Sequence, residues 1–347
     1  MRYGREVHRK ALDMYFHLGA SLRCVAEWLR GEVAPGAGRS RHWRPWADSA
    51  AGDAPGARLS HVSIWRWEMA AGRRARTRRL ERAWSGVMVF CGAVVADATA
   101  VCIRGLWHSV HTLHDAVSRV SMQLERLTET GEAYLAGRFR VWLSQWGLTW
   151  QQVSVLVTDG AGVYYGVLNM VLRRARQQRC LFHLWRNLLP DIRSYAGRTE
   201  PVAGLFVRFT LKALFAAPNL KTAYVCLEDV ERTFGHVLDL AGVLRTVRRT
   251  LPELWAVVQV TTLAIERTNG VAERFFRRLK QRTRRMGNFM SPDAADCFLE
   301  AWSVYVNFEP YQMRRERKRR YRYPGQSPLL IGQAHVEGLC WLDALEI

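Results

Sequence analysis

The stretch Val153-Ser154-Val155-Leu156-Val157-Thr158-Asp159-Gly160 places an acidic residue directly after a run of aliphatic and β-branched side chains. Such a run is typical of a buried β-strand. A second run, Ala93-Val94-Val95-Ala96-Asp97-Ala98, holds an aspartate in similarly apolar surroundings. Both aspartates are therefore expected on a buried sheet, although Asp-Gly is also a common turn sequence and Asp97 could lie in a hairpin.

The order of elements around these runs predicts the fold. Strands are expected at 87–95, 100–103 and 107–113, with a further candidate at 117–122, then a helix at 132–146, a strand at 153–157, a helix at 164–177 and a strand at 179–182. Three strands, helix, strand, helix, strand is the order of a ribonuclease-H-like core. The chain is therefore predicted to be an α/β protein with a ribonuclease-H-like mixed sheet flanked by helices, a helical insertion and an N-terminal helix-turn-helix region.

Changes in composition divide the chain into five predicted parts. They are residues 1–83, an N-terminal helical DNA-binding region with a Gly/Ala/Pro-rich insertion at 31–58; residues 84–183, the first part of the core; residues 184–260, a helical insertion; residues 261–310, the final core helix and the helix after it; and residues 311–347, a basic C-terminal tail.

The N-terminal region has the outline of a DNA reader. Two helical pieces within residues 6–29 are followed by a helix that starts at Ser60 and mixes hydroxyl, aromatic and basic side chains. Ser63, Trp65 and Arg66 on that helix are the candidate DNA contacts. A plain helical hairpin is the alternative, and the insertion at 31–58 is longer than an ordinary turn.

Charge and cysteine content restrict the partners and the compartment. The chain has 51 Lys and Arg against 31 Asp and Glu, a net charge of +20, which favours a polyanion such as DNA; an Arg-rich or ribosome-associated protein is the alternative. Seven cysteines without paired spacing indicate a reducing, cytoplasmic environment. Residues 85–103 are long enough to span a membrane, but Asp97 in their middle argues against it, so no membrane partner is expected.

Three acids are candidates for one metal centre. Asp97 and Asp159 would meet if their strands are neighbours, and Glu273 on the final core helix would be the third. Carboxylates from different elements are the hard ligands that two Mg²⁺ ions use in phosphodiester chemistry. Glu266, two helical turns away on nearly the same face, is a rival that spacing alone does not exclude.

Basic residues surround Glu273 and predict a phosphate-binding surface, with residues 314–322 as a secondary patch. The candidates are Arg274, Arg277, Arg278, Lys280, Arg284 and Arg285. Cys180 and His183 form a C-x-x-H pair that supplies two ligands where a structural zinc site needs four. A buried cysteine beside a hydrogen-bonded histidine is the alternative interpretation.

Three blocks resemble those of mutator-like insertion-sequence transposases. They are Val157-Thr158-Asp159-Gly160-Ala161-Gly162-Val163-Tyr164-Tyr165, Arg179-Cys180-Leu181-Phe182-His183-Leu184-Trp185-Arg186-Asn187-Leu188, and Arg267-Thr268-Asn269-Gly270-Val271-Ala272-Glu273-Arg274 with its continuation to Phe289. The glutamate block is the most specific of the three. Ala98 stands where an acid often follows the first aspartate.

This resemblance implies a DDE transposase whose acids are Asp97, Asp159 and Glu273, which selects Glu273 over Glu266. It further implies Mg²⁺ or Mn²⁺ with two ions per active site, cleavage at terminal inverted repeats and joining of the freed 3′-hydroxyl to target DNA. A homodimer or higher oligomer on DNA is expected by analogy, in a bacterial cytoplasm close to the nucleoid. Two other functions stay open: a domesticated or inactive transposase that only binds DNA, and a ribonuclease-H-like nuclease.

Overall fold

The computed structural model describes residues 4–17, 19–29, 59–198, 201–260, 265–311 and 325–347. Five strands form one sheet: β1 Ala93–Ile103, β2 Leu106–Asp115, β3 Ser121–Arg126, β4 Val155–Thr158 and β5 Arg176–Arg179. Their order is β3-β2-β1-β4-β5, with β1, β2 and β3 antiparallel and β1, β4 and β5 parallel. This mixed sheet with flanking helices confirms the predicted ribonuclease-H-like class.

Helices account for most of the remaining described residues. Their bounds are α1 Arg5–His17, α2 Leu22–Leu29, α3 His61–Leu80, α4 Glu132–Gln145, α5 Val163–Met170, α6 Leu181–Arg198, α7 Pro201–Phe215, α8 Leu220–Phe234, α9 Ala241–Thr250, α10 Ala256–Val260, α11 Gly270–Met286, α12 Pro292–Phe308, α13 Pro328–Ile331 and α14 Trp341–Ala344. The predicted insertion at 31–58 and the basic patch at 314–322 lie outside the described residues.

Alternate side chains of the central strands pack on opposite faces of the sheet. Val94 and Leu156 share an apolar cluster with α4 and α5. Val95 and Val157 instead pack with Val271 of α11. Since all four residues of β4 are buried, its continuous apolar run is the pattern of a parallel strand covered on both sides.

The first strand differs from the prediction. Residues 93–103 form one continuous strand, whereas two strands with a break near Ala98 were expected. Ala98 pairs with His111 and Ala100 with Ser109, so pairing with β2 overrides the weak strand preference of this small-residue segment. The hairpin turn lies at Arg104 and Gly105, both with positive φ.

Other boundaries shift by a few residues. The third strand spans Ser121–Arg126 and the fifth Arg176–Arg179, whereas 117–122 and 179–182 were predicted. Helix α5 ends at Met170, earlier than the predicted 177, and β5 begins soon afterwards. The polar β5 sequence carries no strand signal of its own; its ladder with β4 determines its conformation.

Helices α6 to α9, with the 3-10 turn at Leu251–Trp255 that leads into α10, have a separate apolar core. Leu184, Leu188, Leu211, Leu227 and Trp255 are members of that core. They connect β5 to α11, so the chain leaves the sheet and returns before adding its last core helix. No helix in the described ranges has both the length and the apolarity to cross a membrane. Within the apolar segment 85–103, residues 93–103 form strand β1.

The N-terminal helices share a core with the last part of the chain. Phe16 of α1 stacks on Phe298 of α12, with ring centroids 5.7 Å apart. Helix α3 packs along α12, and Gly72 lies against the Cys297 backbone. Small residues at Ala71, Gly72 and Ala75 allow this close approach. Helices α3 and α12 therefore pack closely against each other.

Replacing Gly72 with alanine should destabilise the protein by about 1–3 kcal/mol, because overpacking outweighs the gain in helix propensity. The new Cβ atom would lie 2.5 Å from the Cys297 Cα atom, which is backbone and has little freedom to move. Gly137→Ala, at an exposed position of α4, is the matched control, since its Cβ meets nothing within 4 Å. Denaturant unfolding of both variants checks this, and equal midpoints would contradict the packing argument.

Candidate active site

Sheet register brings the two aspartates to the same level. Val95 of β1 pairs with Val157 of β4, and each aspartate lies two residues farther along its strand. Because the strands are parallel, Asp97 in the middle of β1 and Asp159 directly after β4 lie at the same level. Asp97 accepts a hydrogen bond from the Ala98 N–H at 2.8 Å, and Asp159 accepts one from the Ala161 N–H at 2.9 Å.

The third acid comes from the first turn of α11. Val271 and Ala272 anchor this helix on the sheet face of Val95 and Val157. Asp97 follows Val95 by two residues and so points to the same face. Glu273 is thereby held beside the two aspartates, and its N–H donates to the Asn269 carbonyl at 3.0 Å.

The pKa of Asp97 depends on the other two acids. Burial, with a smaller contribution from the negative charges of Asp159 and Glu273, raises this pKa to about 7, against the hydrogen bond from the Ala98 N–H and the attraction to Lys280. Mutual repulsion of partly buried carboxylates is relieved when a divalent cation binds between them. The oxygen-only ligand set fits Mg²⁺ or Mn²⁺.

The rival acid Glu266 is engaged elsewhere. Its carboxylate accepts hydrogen bonds from Arg274 at 2.9 Å and from Arg119 at 3.4 Å. Arg119 lies in the connection between β2 and β3. Glu266 therefore links the segment before α11 to this connection. Glu273, and not Glu266, is among the negative charges that raise the pKa of Asp97.

The C-x-x-H pair lies directly behind the glutamate. Cys180 is fully buried; its N–H donates to the Thr158 carbonyl at 2.7 Å and its Sγ accepts from the Asn269 N–H at 3.2 Å. His183 Nδ1 lies 3.6 Å from Glu273 Oε1. Cys180, His183 and Glu273 thus form one cluster. Glu273 is too distant in sequence from the other two for the C-x-x-H spacing to predict it.

The six predicted phosphate-binding residues of α11 fall into two groups. Arg274 is paired with Glu266 and Arg278 with Glu309, and burial lowers the pKa of Arg278. A second group is exposed, and none of its members has a carboxylate within ion-pair distance in the described part of the chain. This group is Arg277, Lys280, Arg284 and Arg285.

The candidate DNA contacts on α3 differ in accessibility. Trp65 is 41% exposed and Arg66 is also exposed. Ser63 is half-buried, and its N–H donates to the Ser60 Oγ in the cap of α3 at 3.2 Å. Since residues 30–58 lie outside the described residues, the helix-turn-helix stays a prediction.

Two neighbours of the acids were not predicted from the sequence. Tyr164 is buried, which raises its pKa well above the usual value, and the charges of Asp97 and Asp159 add to this shift. Arg179 pairs with Thr158 in the sheet, and its side chain covers Gly160, so that a Cβ there would lie 2.6 Å from Nε. Only the β4 and β5 register reveals that Arg179 adjoins Asp159.

Replacing Asp97 with asparagine should stabilise the metal-free protein. The folded-state pKa of Asp97 is raised from its usual 3.8 to about 7. The folded state therefore binds more protons between these values, and its stability falls as pH rises through them. We expect Asp97→Asn to remove this pH dependence. Near about pH 8, with a chelator present, the variant should have a free energy of unfolding about 1–3 kcal/mol higher than that of the parent protein.

Thermal melts of both proteins across this pH range, with and without Mg²⁺, are the measurement. Mg²⁺ should stabilise the parent protein more than the variant, since a ligand stabilises the state that binds it. Asp191→Asn on exposed α6 is the control and should leave the pH profile unchanged. A profile that Asp97→Asn does not alter would contradict the electrostatic argument.

The mixed sheet and its flanking helices define the class of the fold, which is ribonuclease-H-like. Residues 126–308 match the family described as transposase, Mutator family, and the chain belongs to this family. It is 26% identical over 169 residues to the transposase for insertion sequence element IS905 of Lactococcus lactis. That alignment covers 47% of this chain and 39% of the relative, so the chain spans about two fifths of the relative's length.

The matched range includes Asp159, Cys180, His183 and Glu273 but begins after Asp97. The assignment of Asp97 to the group therefore depends on the register of β1 with β4 and on the repulsion between the three acids.

Proposed function

We propose that this chain is a transposase that binds the terminal inverted repeats of an insertion sequence and catalyses DNA strand cleavage and strand transfer. Asp97, Asp159 and Glu273 would hold two Mg²⁺ or Mn²⁺ ions. The observation that carries the proposal is the parallel register that puts Asp97 and Asp159 at the same level of β1 and β4, with the negative charge of Glu273 acting on Asp97. Membership of the Mutator family supports DNA transposition in general.

The chain's own groups have distinct roles in this proposal. When bound, the metal ions supply activation of the attacking oxygen and stabilisation of the leaving oxygen. Arg277, Lys280 and Arg284 follow Glu273 at helical spacing, so a DNA backbone that passes the acids would meet them. Trp65 and Arg66 on α3 would contact the repeat. Two ends must be paired, so we expect a dimer or higher oligomer on DNA, in the bacterial cytoplasm near the nucleoid.

End-specific cleavage tests this function. Sequencing the DNA that flanks the coding region identifies the inverted repeats, and labelled duplexes that carry one repeat are then incubated with protein and Mg²⁺. We expect a nick that leaves a 3′-hydroxyl at the repeat boundary and, with a target plasmid, joined products. Cleavage of RNA–DNA hybrids without end specificity would instead indicate a nuclease, and binding without cleavage would indicate an inactive transposase.

Removing the unpaired cations of α11 should weaken binding to every duplex. Each lost phosphate contact lowers the slope of log affinity against log salt by about 0.9, so Arg277→Ala with Lys280→Ala and Arg284→Ala should lower it by about 2 to 3. Fluorescence anisotropy over a salt series measures this slope.

Arg274→Ala on the same helix is the matched comparison. Its guanidinium is already paired with Glu266, so we expect a smaller change in slope. An unchanged slope in the triple variant would exclude α11 as the phosphate-binding surface.

A further inference from the structure

A second cluster of metal-binding side chains adjoins the three acids. The Cys180 Sγ, a ring nitrogen of His183 and a carboxylate oxygen of Glu273 all lie within 4.8 Å of one another. Within the ranges that the structure describes, this is the one group of three His, Cys, Asp or Glu side chains that meets this distance. Its sulfur and nitrogen atoms give it a different chemistry from the all-oxygen site.

Several buried polar atoms of this cluster have no hydrogen-bond partner among the described residues. They are His183 Nδ1, Glu273 Oε1 and both side-chain polar atoms of Asn269, a residue with no exposed surface. An unpaired buried polar atom costs about 1–3 kcal/mol, so such atoms commonly mark the position of a bound ion or water. His183 Nδ1 and Glu273 Oε1 face each other at 3.6 Å, and Asn269 adjoins them through its N–H contact with the Cys180 Sγ.

The cysteine is held firmly in this region. Its N–H donates to the end of β4, and its carbonyl accepts from the Leu184 N–H at 3.0 Å as α6 begins. The Asn269 N–H points at Sγ from the start of α11. A backbone N–H directed at a sulfur is the kind of contact that stabilises a metal-bound thiolate.

We propose that Cys180, His183 and Glu273 form a binding site for a thiophilic divalent cation of the Zn²⁺ class. The Cys180 thiol would release its proton to solvent on binding, and neutral His183 would bind through a ring nitrogen. One thiolate and one carboxylate balance the charge of the ion. Three protein ligands leave a fourth position for water, as in open zinc sites.

Sharing of Glu273 links this site to the proposed transposase function, on which the following consequence rests. A carboxylate held by a thiophilic ion is neutralised and is a weaker ligand for Mg²⁺ beside Asp97. Zn²⁺ should therefore inhibit Mg²⁺-supported cleavage by removing the third acid, and Mg²⁺, which avoids thiolates, should not occupy this site.

Cobalt absorption tests the site without any activity measurement. Co²⁺ is titrated into the full chain in the absence of Mg²⁺, and the thiolate-to-cobalt charge-transfer band is recorded. We expect the charge-transfer band to correspond to one thiolate-bound Co²⁺ per chain, whatever Co²⁺ the carboxylates take up, and to be lost on adding Zn²⁺. Cys180→Ser keeps a hydrogen-bond acceptor for the Asn269 N–H but removes the thiolate, so the band should disappear.

Two further variants separate the possible outcomes. Cys24→Ser removes an exposed thiol on α2 and should leave the band unchanged. Glu273→Gln keeps the thiolate and should weaken Co²⁺ binding by about tenfold or more. A parent protein without the band, or a band that survives in Cys180→Ser, would overturn the proposal.

Activity then tests the link to catalysis. The Zn²⁺ concentration that halves Mg²⁺-supported cleavage should rise by about tenfold or more in Cys180→Ser. Asp159→Asn, which is not a ligand of this site, should keep the cobalt band. Failure of the proposed transposase function would therefore leave the cobalt result intact, whereas failure of the cation site would leave end cleavage intact.

Discussion

Asp159→Asn is expected to abolish strand cleavage and to spare DNA binding. The substitution keeps the size of the side chain and removes one charged ligand of the proposed metal site. A bound metal contributes several kcal/mol of charge stabilisation in the transition state, so the rate should fall by about 10³-fold or more. Single-turnover cleavage of a labelled repeat end, with anisotropy for binding, measures both quantities.

Glu266→Gln is the matched control for this loss. Glu266 is an acid close to α11 in sequence, but its carboxylate is paired with Arg274 and Arg119. The variant should therefore keep most of the cleavage activity. Residual turnover near the parent rate in Asp159→Asn, or loss of activity in Glu266→Gln, would reject the assignment of the three acids.

Asp97→Asn and Glu273→Gln should lose activity to a similar extent. Groups that act as one unit are strongly non-additive, so a double variant should be little worse than either single variant. Additive losses would indicate that the acids act in separate steps.

Arg79→Met is expected to have the largest effect on stability, a loss of about 3–5 kcal/mol. The guanidinium of Arg79 is buried, and its Nε donates to Glu300 Oε2 at 3.0 Å while a second nitrogen donates to Gln145 Oε1 at 2.8 Å. Removing it leaves the Glu300 carboxylate buried without its cation. Burial already raises the pKa of Glu300 against the opposing effect of Arg79, so protonation of the variant limits the loss at low pH.

A nearby exposed pair provides the control. Arg73, also on α3, pairs with Asp293 of α12 at 3.4 Å, and both side chains are more than half exposed. Arg73→Ala should change stability by at most about 1 kcal/mol. Arg79→Met combined with Glu300→Leu should recover much of the loss, because apolar replacements of a buried pair are often neutral. Equal unfolding midpoints for Arg79→Met and Arg73→Ala would contradict this account.

The sequence predicted the class of the sheet, because the apolar runs are local patterns, whereas Glu273 was selected over Glu266 only by the family resemblance, and the three acids stay a prediction. The apolar runs that end near Asp97 and Asp159 identify neighbouring parallel strands, and the parallel register then brings the two acids together. The break predicted at Ala98 was wrong because strand pairing, which is not local, maintains β1 through small residues.

Contacts between distant segments were not predictable in the same way. Ala71, Gly72 and Ala75 indicate that something approaches α3 closely, but they do not specify α12 as the partner. The two-ligand interpretation of Cys180 and His183 lacked Glu273 for the same reason. In both cases the sequence identifies residues that can make a close contact, but only the fold determines which distant residue they contact.

Helices α6 to α10 also determine when the three acids can come together during synthesis. They lie between β5 and α11, so a ribosome must translate all of them before Glu273 emerges. A chain shortened by a premature stop or a frameshift between Gly160 and Gly270 has both aspartates but lacks the glutamate. Under the proposed mechanism such fragments hold an incomplete metal centre, and unfinished copies of the protein would be harmless to the host chromosome.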